Sequence, residues 1–213
     1  MKISIKSVLS ASALALFFTT SAQAVLVTVE DGGQTTTTVT GASVETFNDG
    51  NCGTYVSCTG NFQIVSGSES GKYAQPADTG TKYLSVPREG SSGTASLMLG
   101  TTANYFGLYW GSIDTYNTLT FLLNDQVVDA FTGTEIATYI PGAADGNQTS
   151  YSSNRYFNFF FGSQTFDEVQ LTSDGYAFET DNHAFATVSE PGTLALMALG
   201  VIGLLMARSR KQA

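Results

Sequence analysis

Between residues 25 and 188 no stretch of the chain keeps a helical apolar period. Short runs rich in Val, Thr, Tyr and Phe recur instead, cut apart by Gly, Pro, Asn and Asp. That rhythm restricts the chain to short strands joined by turns. Strands are predicted at 26–29, 36–40, 43–47, 61–65, 83–86, 94–99, 105–110, 118–123, 127–131, 156–161, 169–172, 176–179 and 184–188. No internal repeat is visible, which argues against a β-helix or a propeller. The predicted fold is all-β: an antiparallel β-sandwich of two sheets, jelly-roll-like.

Alternation assigns faces within these strands. In the run Tyr105-Phe106-Gly107-Leu108-Tyr109-Trp110, Phe106, Leu108 and Trp110 share one face, and Tyr105, Gly107 and Tyr109 the other. Phe157, Phe159 and Phe161 likewise share a side and read as a core strand. The sharpest local turn is Asn124-Asp125 inside FLLNDQVV, because both residue types tolerate positive φ in a two-residue hairpin.

The two ends read as addresses rather than as fold. Lys2 and Lys6 precede an apolar run, and Ala22-Gln23-Ala24 has the small-x-small form of a signal-peptidase site. Residues 1–24 are therefore expected to be a signal peptide, with Ala22 and Ala24 setting the cut. At the other end, 193–207 is a stretch of 15 uncharged residues. As a helix it would reach about 22 Å, against a hydrocarbon core of roughly 30 Å. Flanking residues from Pro191, and snorkelling by Arg208, extend it enough to span. Arg208, Arg210 and Lys211 then act as the membrane stop on the cytoplasmic side. The expected organisation is a signal peptide (1–24), an extracellular β-sandwich (25–188) and a C-terminal segment with a transmembrane helix and basic tail (189–213).

Charge narrows the partners. Residues 25–188 hold four basic side chains, Lys72, Lys82, Arg88 and Arg155, against 17 acidic ones, a net charge of −13. Such a body repels a phosphate backbone, so nucleic acid is not an expected partner. Cys52 and Cys58 are the two cysteines. In an exported chain they are expected to pair, closing a short loop.

The tail SEPGTLALMALGVIGLLMARSRKQA resembles the PEP-CTERM sorting signal of Gram-negative bacteria, also named after the C-terminus of ice-binding proteins. Glu190 and Pro191 match the last two positions of its Pro-Glu-Pro motif, and Ser189 stands in place of the first proline. The resemblance implies recognition by exosortase, a membrane cysteine transpeptidase-like enzyme, with cleavage near Glu190-Pro191. The product would go to the cell surface or extracellular matrix. YFGLYWGSIDTYN and FETDN are similar to segments of a group of exosortase-dependent surface proteins, which implies a β-sandwich and no defined chemistry.

Catalytic signatures are sparse. His183 is the sole histidine and no G-x-S-x-G elbow occurs. The expected role is non-enzymatic: structural or carbohydrate-binding, with exopolysaccharide as partner. The alternatives are a secreted polysaccharide-active enzyme and a membrane-anchored adhesin. Tyr109, Trp110 and Tyr116 are candidates for an aromatic platform under a sugar ring, with Asp114 and Asn117 bonding its hydroxyls. Calcium is the candidate ion, with Asp181 and Asn182 supplying oxygen ligands if the last strand runs beside the Asp114 loop.

Overall fold

The structure, a computed structural model, describes residues 24–189. Both terminal segments, the expected signal peptide at 1–24 and the apolar tail with its basic stop, lie essentially outside them. Among the described residues no helix is long and apolar enough to cross a membrane.

The strands are β1 (Leu26–Val29), β2 (Ser43–Glu45), β3 (Ser57–Gly60), β4 (Gln63–Val65), β5 (Tyr83–Val86), β6 (Gly93–Ala103), β7 (Tyr105–Gly111), β8 (Asn117–Leu123), β9 (Gln126–Thr132), β10 (Arg155–Phe160), β11 (Phe166–Ser173) and β12 (Phe178–Ala186). A single-turn helix, α1 (Gly133–Ile136), follows β9. One sheet runs β1-β10-β7-β12-β5-β4, with β2 also pairing β12; the other runs β3-β6-β11-β8-β9. Every pairing is antiparallel. The fold is thus the all-β, two-sheet arrangement that the strand rhythm predicts.

Alternation places the core as expected. Phe106, Leu108, Trp110, Phe157, Phe159 and Phe161 all point between the sheets. Phe121 of β8 meets them from the other sheet, 5.6 Å from Phe106, 5.6 Å from Phe159 and 4.7 Å from Phe161 between ring centroids. Each buried Phe contributes about 1.5–3 kcal/mol, and well-placed ring pairs add roughly 0.5–1.5 kcal/mol. The Asn124-Asp125 turn has the expected geometry, with φ of 50° and 63°.

Three local readings differ from the structure. Residues 36–40 form no strand. The segment crosses the outer face of the larger sheet instead, where Thr37 Oγ1 lies 2.5 Å from Tyr105 Oη and Asn182 Nδ2 donates to the Thr35 carbonyl at 2.9 Å. β3 was not predicted, because its sequence Ser-Cys-Thr-Gly lacks the apolar alternation of a strand. The runs at 176–179 and 184–188 fuse into the one strand β12. Its pairing with β7 shifts between Asp181 and Ala184, and Asn182 sits at φ 49°. This bulge inserts one residue, so the inward phase passes from Phe178 and Thr180 to His183 and Phe185. Without it, His183 and Phe185 would face outward.

The bulge therefore brings the only histidine into the core, fully buried. Its Nδ1 lies 2.9 Å from Tyr55 Oη and its Nε2 2.8 Å from Thr180 Oγ1. Phe47 and Phe106 stand edge-on to the ring. Burial drives the His183 pKa down to about 3, so it is neutral at physiological pH. The disulfide between Cys52 and Cys58 forms as expected and closes the loop that carries Tyr55 onto this histidine.

Candidate functional site

The larger sheet is covered on its outer face by irregular segments, and a cleft opens where they part. It has a volume of about 590 Å³. Its floor is the end of β7 and the start of β12: Ser112, Asp114 and Tyr116 on one side, Tyr176, Ala177 and Glu179 on the other. The segment 68–74, with Glu69, Lys72 and Tyr73, forms one wall, and Asp145, Gly146 and Gln148 the opposite one.

Antiparallel register explains the floor. Glu179 pairs with Gly111, so the carboxylate emerges beside the chain leaving β7 toward Asp114. Glu179 accepts from the Ala74 amide at 2.7 Å and the Ser112 hydroxyl at 2.9 Å, tying the wall to the floor. Burial raises its pKa to about 7; those two hydrogen bonds act against the rise, and Asp114 adds to it. Asp114 accepts from the Tyr116 hydroxyl at 2.6 Å. Its pKa also rises, through partial burial first, opposed by the Tyr116 bond and assisted by Asp145. The Tyr116 hydroxyl also reaches the Tyr176 carbonyl.

Two glycines make this packing possible. A Cβ on Gly146, at φ 64°, would sit 2.5 Å from Asp114 Oδ1, and one on Gly175 would meet the Tyr116 ring at 2.9 Å. Tyr176 is 42% exposed at the rim, while Tyr73 and Tyr116 are half-buried. Lys72 is held by Glu69 at 2.6 Å, so the one cation of the lining is paired.

The sequence candidates divide. Asp114 and Tyr116 line the cleft. Trp110 and Tyr109 do not form a platform, because both are fully buried. Trp110 lies between the sheets, stacked on Phe178 at 4.4 Å, and Tyr109 is covered on the outer face. Asn117 is buried too: it donates to the Ala177 carbonyl at 3.2 Å and accepts from Ser173 at 2.8 Å. Its role is to brace the cleft floor from beneath rather than to bond a ligand.

The last strand does run beside β7, but the residue it delivers to the Asp114 loop is Glu179. Asp181 pairs with Tyr109, further along. It is buried, and its oxygens take the Asn182 amide at 2.7 Å and the Thr81 hydroxyl at 3.5 Å. The Asn182 amide is spent on Thr35. Neither residue faces the Asp114 loop as a calcium ligand would. Among the described residues no group of three or more His, Cys, Asp or Glu side chains converges as metal ligands do. Glu179, Tyr73 and Tyr176 are cleft residues that the sequence reading missed. Their juxtaposition depends on strand register and on an irregular covering segment.

A larger depression, about 700 Å³, lies along β3 and β4 beside the disulfide. It is more open, and Arg88 is its one charged side chain, so it lacks the carboxylates that line the cleft. Ser189, expected in the sorting motif, is exposed directly after the folded body. Glu190, Pro191, Arg208, Arg210 and Lys211 lie outside the described residues.

A comparison of the chain with curated proteins found no match. Among solved structures, the enzymatically active domain of bacteriophage CBA120 tailspike protein 4 is 12% identical with a TM-score of 0.33, covering 67% of this chain and 20% of that one. The chain thus spans about a fifth of that protein's length, and a likeness so low carries no argument. Residues 187–211 match the family model of the PEP-CTERM protein-sorting motif. The chain therefore carries a PEP-CTERM sorting motif, which marks an exported protein that exosortase sorts to the surface or exterior of a Gram-negative cell.

Proposed function

We propose that this protein is a non-enzymatic component of the cell surface or extracellular matrix that binds an uncharged stretch of exopolysaccharide in the cleft. Exosortase would first cut the chain near Glu190-Pro191 and remove the membrane-spanning tail. The observation that carries the binding reading is the cleft lining. Tyr73, Tyr116 and Tyr176 offer aromatic surface, and Asp114, Asp145, Glu179 and Gln148 offer hydrogen-bond partners for sugar hydroxyls. The acidic lining, with Lys72 already paired, disfavours an anionic glycan.

Glu179 with its raised pKa gives a polysaccharide-cleaving enzyme a foothold as the second reading. Both of its oxygens are occupied by Ala74 and Ser112, however, which suits a brace better than a proton donor. A glycan array probed with the mature protein separates the readings. Retention of a neutral glycan that is lost in Tyr176→Ala and Asp114→Asn, with unchanged melting, is the expected result. Release of shortened sugars would favour the enzyme, and no retention of any glycan would remove the binding reading.

A further inference from the structure

The sorting motif and the folded body overlap. The match begins at Thr187, yet Thr187 and Val188 are bonded into the sandwich. Asn104, between β6 and β7, is 6% exposed and grips the departing chain at several points. Its amide N–H donates to the Ala186 carbonyl at 3.1 Å. Its side chain closes a ring with Val188: Nδ2 donates to the Val188 carbonyl at 2.9 Å, and the Val188 N–H donates to Oδ1 at 2.7 Å. Nδ2 also donates to the Gly162 carbonyl at 2.7 Å, and the Asn104 carbonyl accepts from Phe161 at 2.8 Å, so Asn104 is itself fixed to the far side of the turn. Thr187 Oγ1 donates to the Thr102 carbonyl at 3.0 Å.

We infer that Asn104 is a latch that competes with exosortase for the Val188 backbone and so sets the rate at which the sorting signal is processed. This rests on cleavage near Glu190-Pro191. Val188 is then the third residue before the broken bond. An enzyme that cuts a peptide commonly holds it as an extended strand through main-chain hydrogen bonds. Both main-chain groups of Val188 are already taken by the Asn104 amide. Only Ser189 separates Val188 from Glu190 in the sequence, so the latched residue is one that such a grip would include. Processing must wait for the end of β12 to open locally. In the reaction the Glu190–Pro191 C–N bond breaks. The Glu190 carbonyl passes to the enzyme's nucleophile and then to water or an amine, and the Pro191 nitrogen leaves with a proton.

The test is pulse-chase of the full-length chain in cells that contain exosortase, following loss of the tail by mass. Two variants are compared with wild type: Asn104→Ala, and a Gly-Ser-Gly-Ser insertion between Ser189 and Glu190. The insertion leaves the latch intact and supplies free main chain to the enzyme, so it remains decisive if Asn104→Ala fails to fold. The insertion is expected to be processed roughly thirtyfold faster than wild type, the effect on an opening equilibrium of the two hydrogen bonds that hold Val188. Asn104→Ala, if folded, should show the same gain. An insertion variant processed at the wild-type rate overturns the latch while leaving processing itself intact. A wild-type chain that never loses its tail overturns both.

Discussion

Three buried titratable groups on β12 give the domain an acid-shifted stability optimum. Glu179 and Asp181 each rise to about 7 in the folded state, chiefly through burial, from ordinary values of 4.5 and 3.8. His183 falls to about 3 from 6.5, again through burial. A raised carboxyl holds its proton longer when folded, so stability declines as pH climbs from the ordinary value to the folded one. The depressed histidine acts oppositely: its contribution is complete above 6.5 and is lost as pH falls toward 3. Each group contributes about 1.4 kcal/mol per pH unit inside its window. From about pH 4.5 to 6.5 two acids oppose one histidine, and above 6.5 the acids act alone. Stability should therefore peak near pH 4–4.5 and fall by about 4 kcal/mol by pH 7. The net charge of −13 on residues 25–188 adds repulsion in the same direction. Trp110, the sole tryptophan and fully buried, reports unfolding by fluorescence. In urea titrations of the mature protein, with a slope of about 2 kcal/mol/M, the midpoint should drop by about 2 M between pH 4.5 and pH 7.5. Glu179→Gln combined with Asp181→Asn leaves His183 acting alone and should turn the drop into a rise of about 1.4 M. A wild-type midpoint that is flat or rising over this range would refute the reasoning.

Trp110→Ala should cost about 3–5 kcal/mol by leaving a cavity between the sheets against Phe178. A melting curve shifted by only a degree or two would mean that the tryptophan is not a core residue. Asp125→Gly should stabilise the β8–β9 hairpin by about 0.5 kcal/mol, because glycine is the preferred occupant of a position held at φ 63°. Chemical denaturation detects that gain, and a loss of stability would argue against the turn geometry.

What could be read from the sequence was local. Alternation within 105–110 and 156–161 puts Phe106, Leu108 and Trp110 on one side, and Phe157, Phe159 and Phe161 likewise, and all six fill the core. Trp110, a candidate for the sugar platform, shares the face of Phe106 and Leu108, and the structure commits its ring to the interior. The Asn124-Asp125 turn was equally legible because its geometry depends on two adjacent residues. The cleft was only half visible. Asp114 and Tyr116 are neighbours in sequence, but Glu179 joins them only through the β7–β12 register, and Tyr73 through a wall that has little regular structure. Period-2 reasoning broke β12 in two, because an Asn at positive φ changes the inward phase in mid-strand. β3 escaped because an edge strand in a disulfide loop needs no apolar alternation to pair with β6.

The PEP-CTERM motif makes the exterior of the cell the place where this sandwich works, and the mass of the mature protein tests that directly. Protein recovered from the cell surface or medium should begin at Val25, retain the Cys52–Cys58 bond and end near Glu190, with no peptide containing Arg208. Recovery of the intact 213-residue chain from the cytosol, with Cys52 and Cys58 reduced, would contradict the account.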